Sequence, residues 1–235
     1  MKVYVKKTVH MCFSKKRTQQ FQTNYNINGT QLLSVHEFKY LGVFFTPDLS
    51  WTRHIDYVIA KSSRVLGYLK RNAKQFPVKA RALLYLSNVR SVLEYASTVW
   101  DPWTQINRDK LERIQSKAVR FVFQNYSRQF SVSEAKNLIG WDSLQKRRCT
   151  QKLKLFHDIY HSRTGIDRTK YLHDPDYVSK RVDHDLKVKE ISCKSAMYSK
   201  SFFPNTIRAW NRLTAHIVSI STNAAFVQAL RDVIV

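Results

Sequence analysis

The sequence predicts an α+β fold that is predominantly α, a short antiparallel β unit followed by a helical bundle. Three observations carry this. Apolar residues alternate with polar ones at Val3, Val5, Val9, Met11 and Phe13, which is the period of a half-buried strand. From Trp51 the apolar spacing changes to that of an amphipathic helix. Only 5 Gly and 5 Pro occur in 235 residues, too few for a loop-rich all-β protein.

The β unit comes first. Val3 and Val5 alternate with charge, and Val9, Met11 and Phe13 continue the period. Asn28-Gly29 marks a tight turn, since both residues tolerate the left-handed conformation that a two-residue hairpin loop requires. A second extended piece, residues 38–45, ends at Thr46-Pro47-Asp48. Lys2, Lys6, Lys7, Lys15, Lys16 and Arg17 precede the first acidic residue, Glu37, so this unit presents a positive surface.

The helices follow. Ile55, Val58, Ile59, Val65, Leu66 and Leu69 share one face of a first helix, ringed by Arg53, Lys61, Arg64, Lys70 and Arg71. A second fits 78–98, with Leu83, Leu86, Val89, Leu93 and Ala96 inward, and Asp101-Pro102 breaks it. Asn107 is placed to cap a third, whose stripe is Leu111, Ile114, Ala118, Phe121 and Val122. Ser131-x-x-Glu134 is a capping box before a short helix closed by Gly140. Asp142-x-x-Gln145 opens another, running to about His161. Residues 162–200 have no clean period and read as a partly ordered connection. Pro204 suits the first turn of a helix carrying Ile207, Trp210 and Leu213, and a last helix covers 222–234. Three regions result: 1–50, 51–125 and 126–235.

Charge bounds the function. Forty Lys+Arg against 17 Asp+Glu leave a net +23, which favours a polyanionic partner through phosphate pairing and counterion release. No apolar run approaches the roughly 20 residues of a membrane span, and the basic start lacks the apolar core of a signal peptide. Cys12, Cys149 and Cys193 are far apart and form no CxxC pair. These features lead to the expectation of a soluble intracellular protein with no membrane partner.

Several ordered segments are shared with one family. They are Lys7-Thr8; Met11-x-Phe13-Ser14; Tyr25-x-Ile27-x-Gly29; and Glu37-Phe38-Lys39-Tyr40-Leu41-Gly42-Val43. Phe45-Thr46-x-Asp48-Leu49-Ser50-Trp51-x-x-His54-Ile55 follows, then Leu93-Glu94-Tyr95-Ala96-Ser97-x-Val99-Trp100-Asp101-Pro102 and Leu111-Glu112-x-Ile114-Gln115. The tail is Ser201-Phe202-Phe203-Pro204-x-Thr206-Ile207-x-x-Trp210-Asn211. In order and spacing these segments resemble the C-terminal part of reverse transcriptases from non-LTR (LINE-type) retrotransposons, over nearly the whole chain.

The resemblance implies specific roles. The Lys-Thr strand corresponds to polymerase motif D, so Lys7 lies near the phosphates of an incoming nucleotide as a possible auxiliary to catalysis. Tyr4 stands three residues before it, where the family usually carries asparagine. Phe38, Lys39, Tyr40, Leu41 and Gly42 correspond to motif E, the primer-grip hairpin, with Gly42 allowing close backbone approach. The helices after Trp51 correspond to the thumb, which holds template–primer duplex. RNA or RNA–DNA duplex is then the partner, through Lys39, Arg53, Lys61, Arg64, Lys70, Arg71, Lys74, Lys79 and Arg81 on phosphates. Tyr57 and Tyr68 would add stacking if exposed. The resemblance implies further a nuclear or cytoplasmic ribonucleoprotein and no small-molecule substrate.

Polymerisation needs two metal ions held by paired aspartates. No Asp-Asp occurs in the sequence, and the order of motifs puts that pair before residue 1. The expectation is therefore a fragment inactive alone, holding no catalytic residue and no cofactor, with magnesium belonging to the complete enzyme. Two other readings remain open. One is a transposon remnant whose unpaired strand edge makes it aggregate. The other is a metal-dependent hydrolase on His157 and His161, one helical turn apart, with His173, Asp174 or His184 as third ligand.

Overall fold

The computed structural model describes residues 4, 7–14, 24–179 and 181–233. Of these, 54% are helical and 6% are in strands, so the fold is α+β and predominantly α. No helix among the described residues is long and apolar enough to cross a membrane. The chain divides into two compact units, residues 1–96 with 104–114, and residues 97–103 with 115–235.

Among the described residues the first unit begins with six short strands: β1 (Val9–His10), β2 (Asn26–Ile27), β3 (Thr30–Gln31), β4 (Leu33–Ser34), β5 (Phe38–Tyr40) and β6 (Val43–Phe45). They form three separate two-stranded ladders. β2–β3 is the hairpin expected at Asn28-Gly29, with φ of 50° and 78° at its two turn residues. β5–β6 is a second hairpin, turning at Leu41 and Gly42 with φ of 46° and 86°. The β1–β4 ladder, however, is parallel, where an all-antiparallel unit was expected. Residues 11–32 intervene between those strands, and a connection of that length permits a parallel return. Val3 and Val5 lie outside the described residues.

The helices of this unit are α1 (Thr52–Asn72), α2 (Val78–Tyr85) and α3 (Ser91–Glu94). Helix α1 buries His54, Ile55, Val58, Ser62, Leu66 and Leu69, close to the apolar stripe read from the sequence. Lys70 and Arg71 occupy its last turn, where cations meet the negative end of the helix dipole. The helix expected over 78–98 is instead interrupted. A π turn at Leu86–Arg90 joins α2 to α3, and the helix stops before Ala96, which takes φ 52°. The wider π turn shifts the register, so Arg81, Tyr85, Val89 and Leu93 face inward while Leu83 is 65% exposed.

The second unit contains α4 (Ser97–Trp100), then the later part of α5 (Gln105–Phe123), which belongs to this unit from Gln115 onward. Asn107 does not cap α5 but sits within it, buried, donating to Thr52 Oγ1 at 3.2 Å inside the first unit. Next come α6 (Val132–Leu138), α7 (Leu144–Tyr160), α8 (Ala196–Ser199), α9 (Phe202–Asn211), α10 (Ala215–Val218) and α11 (Asn223–Val233). Ser131 caps α6 by accepting from Glu134 N, and Gly140 follows with φ 63°. The cap of α7 is Ser143, accepting from Lys146 N at 3.0 Å, rather than the expected Asp142.

The core of this unit joins Leu153 and Phe156 of α7 with Ile207 and Trp210 of α9, Ile217 and Val218 of α10, and Phe226 and Leu230 of α11. Residues 162–200 are irregular apart from α8 and one 3-10 turn, yet they are fastened. Val188 is buried in the core, and Asn211 brackets its backbone, Oδ1 accepting from Val188 N at 3.0 Å and Nδ2 donating to Val188 O at 2.7 Å. Trp210 Nε1 donates to Leu186 O at 2.9 Å. The tail pair Trp210-Asn211 thus straps an aperiodic segment to α9 through its backbone, a linkage that apolar periodicity cannot reveal.

Candidate nucleic-acid interface

The first unit gathers several predicted residues around one concavity. A cavity of about 450 Å³ is lined by Lys7, Thr8, Val9, Met11, Phe13, Phe38, Tyr40 and Phe45. Its wall explains the period-2 pattern of the early chain: Val9, Met11 and Phe13 point to the same face. The opposite wall is the hairpin, whose register Phe38↔Phe45 and Tyr40↔Val43 sets Phe38, Tyr40 and Phe45 on one side. Lys7 supplies the cationic group.

The other face of the hairpin holds Lys39, directly across from Phe44. Lys39 Nζ donates to Tyr57 Oη at 2.8 Å and stands 4.4 Å from the Tyr57 ring centre. The Arg53 guanidinium covers Phe44 at 4.4 Å and forms a two-pronged pair with Glu37, at 2.6 and 2.9 Å. Lys39 and Arg53 therefore already bind protein groups, so they serve a phosphate less directly than the sequence suggested. Arg81 is further removed from that role: it is buried, and its Nη1 donates to Lys74 O at 3.0 Å, closing the loop between α1 and α2.

Gly42 acquires an internal reason. With φ 86° it completes the hairpin turn, and an added Cβ would lie 3.2 Å from Tyr95 Cε1. Tyr95 Oη donates to Leu41 O at 2.9 Å, so the tyrosine fits against the turn and holds it. Leu41 and Tyr40 remain 72% and 59% exposed at the tip.

His54 was not singled out as a site residue. It is buried, and its Nδ1 accepts from Phe44 N at 3.3 Å, tying β6 to α1. Burial, with the Lys39 charge adding to it, pushes its pKa down to about 4, so the ring is neutral at pH 7. The Tyr57 phenol pKa is lowered too, but by the Lys39 hydrogen bond and then the charges of Lys39, Lys61 and Arg64, which outweigh desolvation. Positive potential is concentrated along this stretch of α1. Lys61, Arg64 and Arg71 are exposed on the helix, Lys70 is half-buried, and Lys74 and Lys79 are exposed beyond it.

In the second unit the predicted histidine pair serves packing. His157 is fully buried and stacked on Phe226 at 4.3 Å. Its Nδ1 faces Asn223 Oδ1 at 3.0 Å and its Nε2 faces Ile220 O at 2.7 Å, so both ring nitrogens are engaged by protein oxygens. Asp158 accepts from Asn223 Nδ2. Among the described residues no group of three His, Cys, Asp or Glu side chains is arranged to hold a metal.

Trp100-Asp101-Pro102 also has a structural purpose. Asp101 accepts from Arg148 Nε at 2.8 Å and from Lys152 Nζ at 2.5 Å, with Arg148 almost wholly buried. One carboxylate holds two cations.

Set against known proteins, the chain gives no match to a family model, to a curated protein or to a solved structure.

Proposed function

We propose that this chain is the nucleic-acid-gripping part of a reverse transcriptase of the non-LTR retrotransposon type, binding RNA or RNA–DNA duplex. The observation that carries the reading is the cavity in which Lys7, Phe38 and Tyr40 meet. In the resemblance these positions belong to two motifs, D beside the incoming nucleotide's phosphates and E at the primer terminus, and Phe38 and Tyr40 stand 31 and 33 residues after Lys7 in sequence. A basic helix, α1, follows at once, as a thumb follows a primer grip. The net charge of +23 supplies the long-range attraction for a polyanion.

The chain's own part is grip rather than chemistry, because its sequence contains no Asp-Asp to hold the two metal ions of phosphoryl transfer. In a complete enzyme magnesium would be the cofactor, and a ribonucleoprotein the expected setting. The hydrolase alternative is disfavoured by His157, both of whose ring nitrogens are turned to protein oxygens.

The test is binding of the purified chain to an RNA–DNA hybrid at low salt, with Tyr40→Ala as comparison. Tight binding by the parent chain, weakened severalfold in the variant, supports a hairpin that touches nucleic acid. Folded, soluble protein that binds no hybrid at low salt refutes the reading.

A further inference from the structure

Helix α1 carries a second feature, separate from the cavity. Tyr57, Lys61, Arg64, Tyr68 and Arg71 follow one another at spacings of four, three, four and three residues. At 100° per residue these five lie within roughly 40° of a single line along the helix. The line runs opposite the side that buries Ile55, Val58, Leu66 and Leu69. Tyr68 is 60% exposed, and Lys61, Arg64 and Arg71 are exposed. The one acid of α1, Asp56, lies off this line and is paired with Lys110 at 2.8 Å. Gly67, beside the stripe, leaves space in which the Arg71 guanidinium lies, 3.6 Å from where a Cβ would be.

We infer that this stripe is a track for single-stranded nucleic acid, in which phenol rings stack on unpaired bases while the intervening cations hold successive phosphates. The inference rests on the nucleic-acid reading above and names the form of partner that α1 receives. Three arguments favour a single strand. In a duplex the faces of the bases are already stacked on one another, and only their edges are offered, so exposed rings on a helix gain little there. An unpaired base presents its face, and each base–aromatic stack contributes about 1–3 kcal/mol. Two tyrosines set among three cations offer stacking faces together with phosphate contacts, whereas a duplex-binding face needs cations alone.

The dimensions agree. From Tyr57 to Arg71 the helix rises about 21 Å, the length of about six stacked nucleotides. Tyr57 is half-buried, edge-on to Phe44 at 5.0 Å and hydrogen-bonded to Lys39 at 2.8 Å, so that ring is fixed before any strand arrives. Its phenol pKa is lowered chiefly by the Lys39 hydrogen bond, with the charges of Lys39, Lys61 and Arg64 adding to it.

The experiment uses the full chain, a fluorescein-labelled 20-nucleotide oligo(dT), and an RNA–DNA hybrid of equal length, followed by anisotropy. Tyr68→Ala, at an exposed position, is expected to lower affinity for oligo(dT) roughly tenfold with an unchanged salt slope. It should leave hybrid affinity within about twofold, and Tyr68→Trp should restore the single-strand affinity. Lys61→Ala and Arg71→Ala should each reduce the single-strand salt slope by about 0.7. If Tyr68→Ala binds oligo(dT) as the parent does, or loses hybrid affinity equally, the track is refuted while hybrid binding stands. If neither nucleic acid binds, the broader reading falls with it.

Discussion

Two sets of cations, one in each unit, are used in opposite ways. In residues 97–103 with 115–235, Arg148 and Lys152 are taken inside and share the carboxylate of Asp101. In residues 1–96 with 104–114, α1 turns Lys61, Arg64 and Arg71 outward, away from its buried side. A buried cation is fixed to one partner and cannot serve a ligand; an exposed one contributes little to stability and is available to a phosphate. A high net charge therefore says nothing by itself about where binding occurs. The difference lies in which cations the fold has already used.

Substitutions can break this contrast. The largest effect belongs to Asp101→Ala, which leaves Arg148 and Lys152 buried without a counter-charge. Denaturant unfolding should show a loss of about 3–5 kcal/mol, whereas Arg71→Ala should stay within about 0.5 kcal/mol. Equal effects at the two positions would erase the distinction between structural and available cations.

A second test is pH. His54 has its folded pKa depressed to about 4, below the ordinary histidine value of 6.5. The unfolded chain then binds a proton more readily than the folded one, and stability rises with pH in that interval. Stability should be complete above pH 6.5 and fall, by on the order of 2 kcal/mol, as pH drops toward 4. His54→Gln should remove most of that slope. A wild-type slope surviving the substitution would assign it to other groups.

Gly42→Ala is expected to cost about 1–2 kcal/mol, because the turn requires a left-handed conformation there and Tyr95 Cε1 stands in the way. Amide exchange in residues 38–45 should accelerate, and the same substitution should weaken hybrid binding only through the hairpin it loosens. No change in exchange would mean that the contact with Tyr95 holds nothing.

Much of this was legible in the sequence where local chemistry decides. Asn28-Gly29 names its own turn, Ser131 caps its helix by accepting from Glu134 N, and Ile55, Val58, Leu66 and Leu69 of the predicted α1 stripe are buried. The cavity lining of Val9, Met11 and Phe13 follows from simple alternation. What stayed hidden depends on partners distant in sequence. Arg81 looks like any surface arginine until its carbonyl partner Lys74 closes a loop around it. Lys39 and Arg53 look available until Tyr57 and Glu37 are brought to them. The strap over 186–188 is held by backbone groups, which carry no side-chain signature. The π turn at 86–90 displaced Leu83 outward because a regular period cannot anticipate one inserted residue.

The central claim is that the outward cations of α1 meet phosphates. It is tested most directly by the slope of log affinity against log salt for an RNA–DNA hybrid, comparing the parent chain with Lys61→Glu/Arg64→Glu/Arg71→Glu. The account predicts a steep parental slope that flattens by about two to three units in the variant, with an unchanged unfolding midpoint. Equal slopes in a folded variant would contradict it, and would mean that the cations of α1 form a solvated surface that no duplex touches.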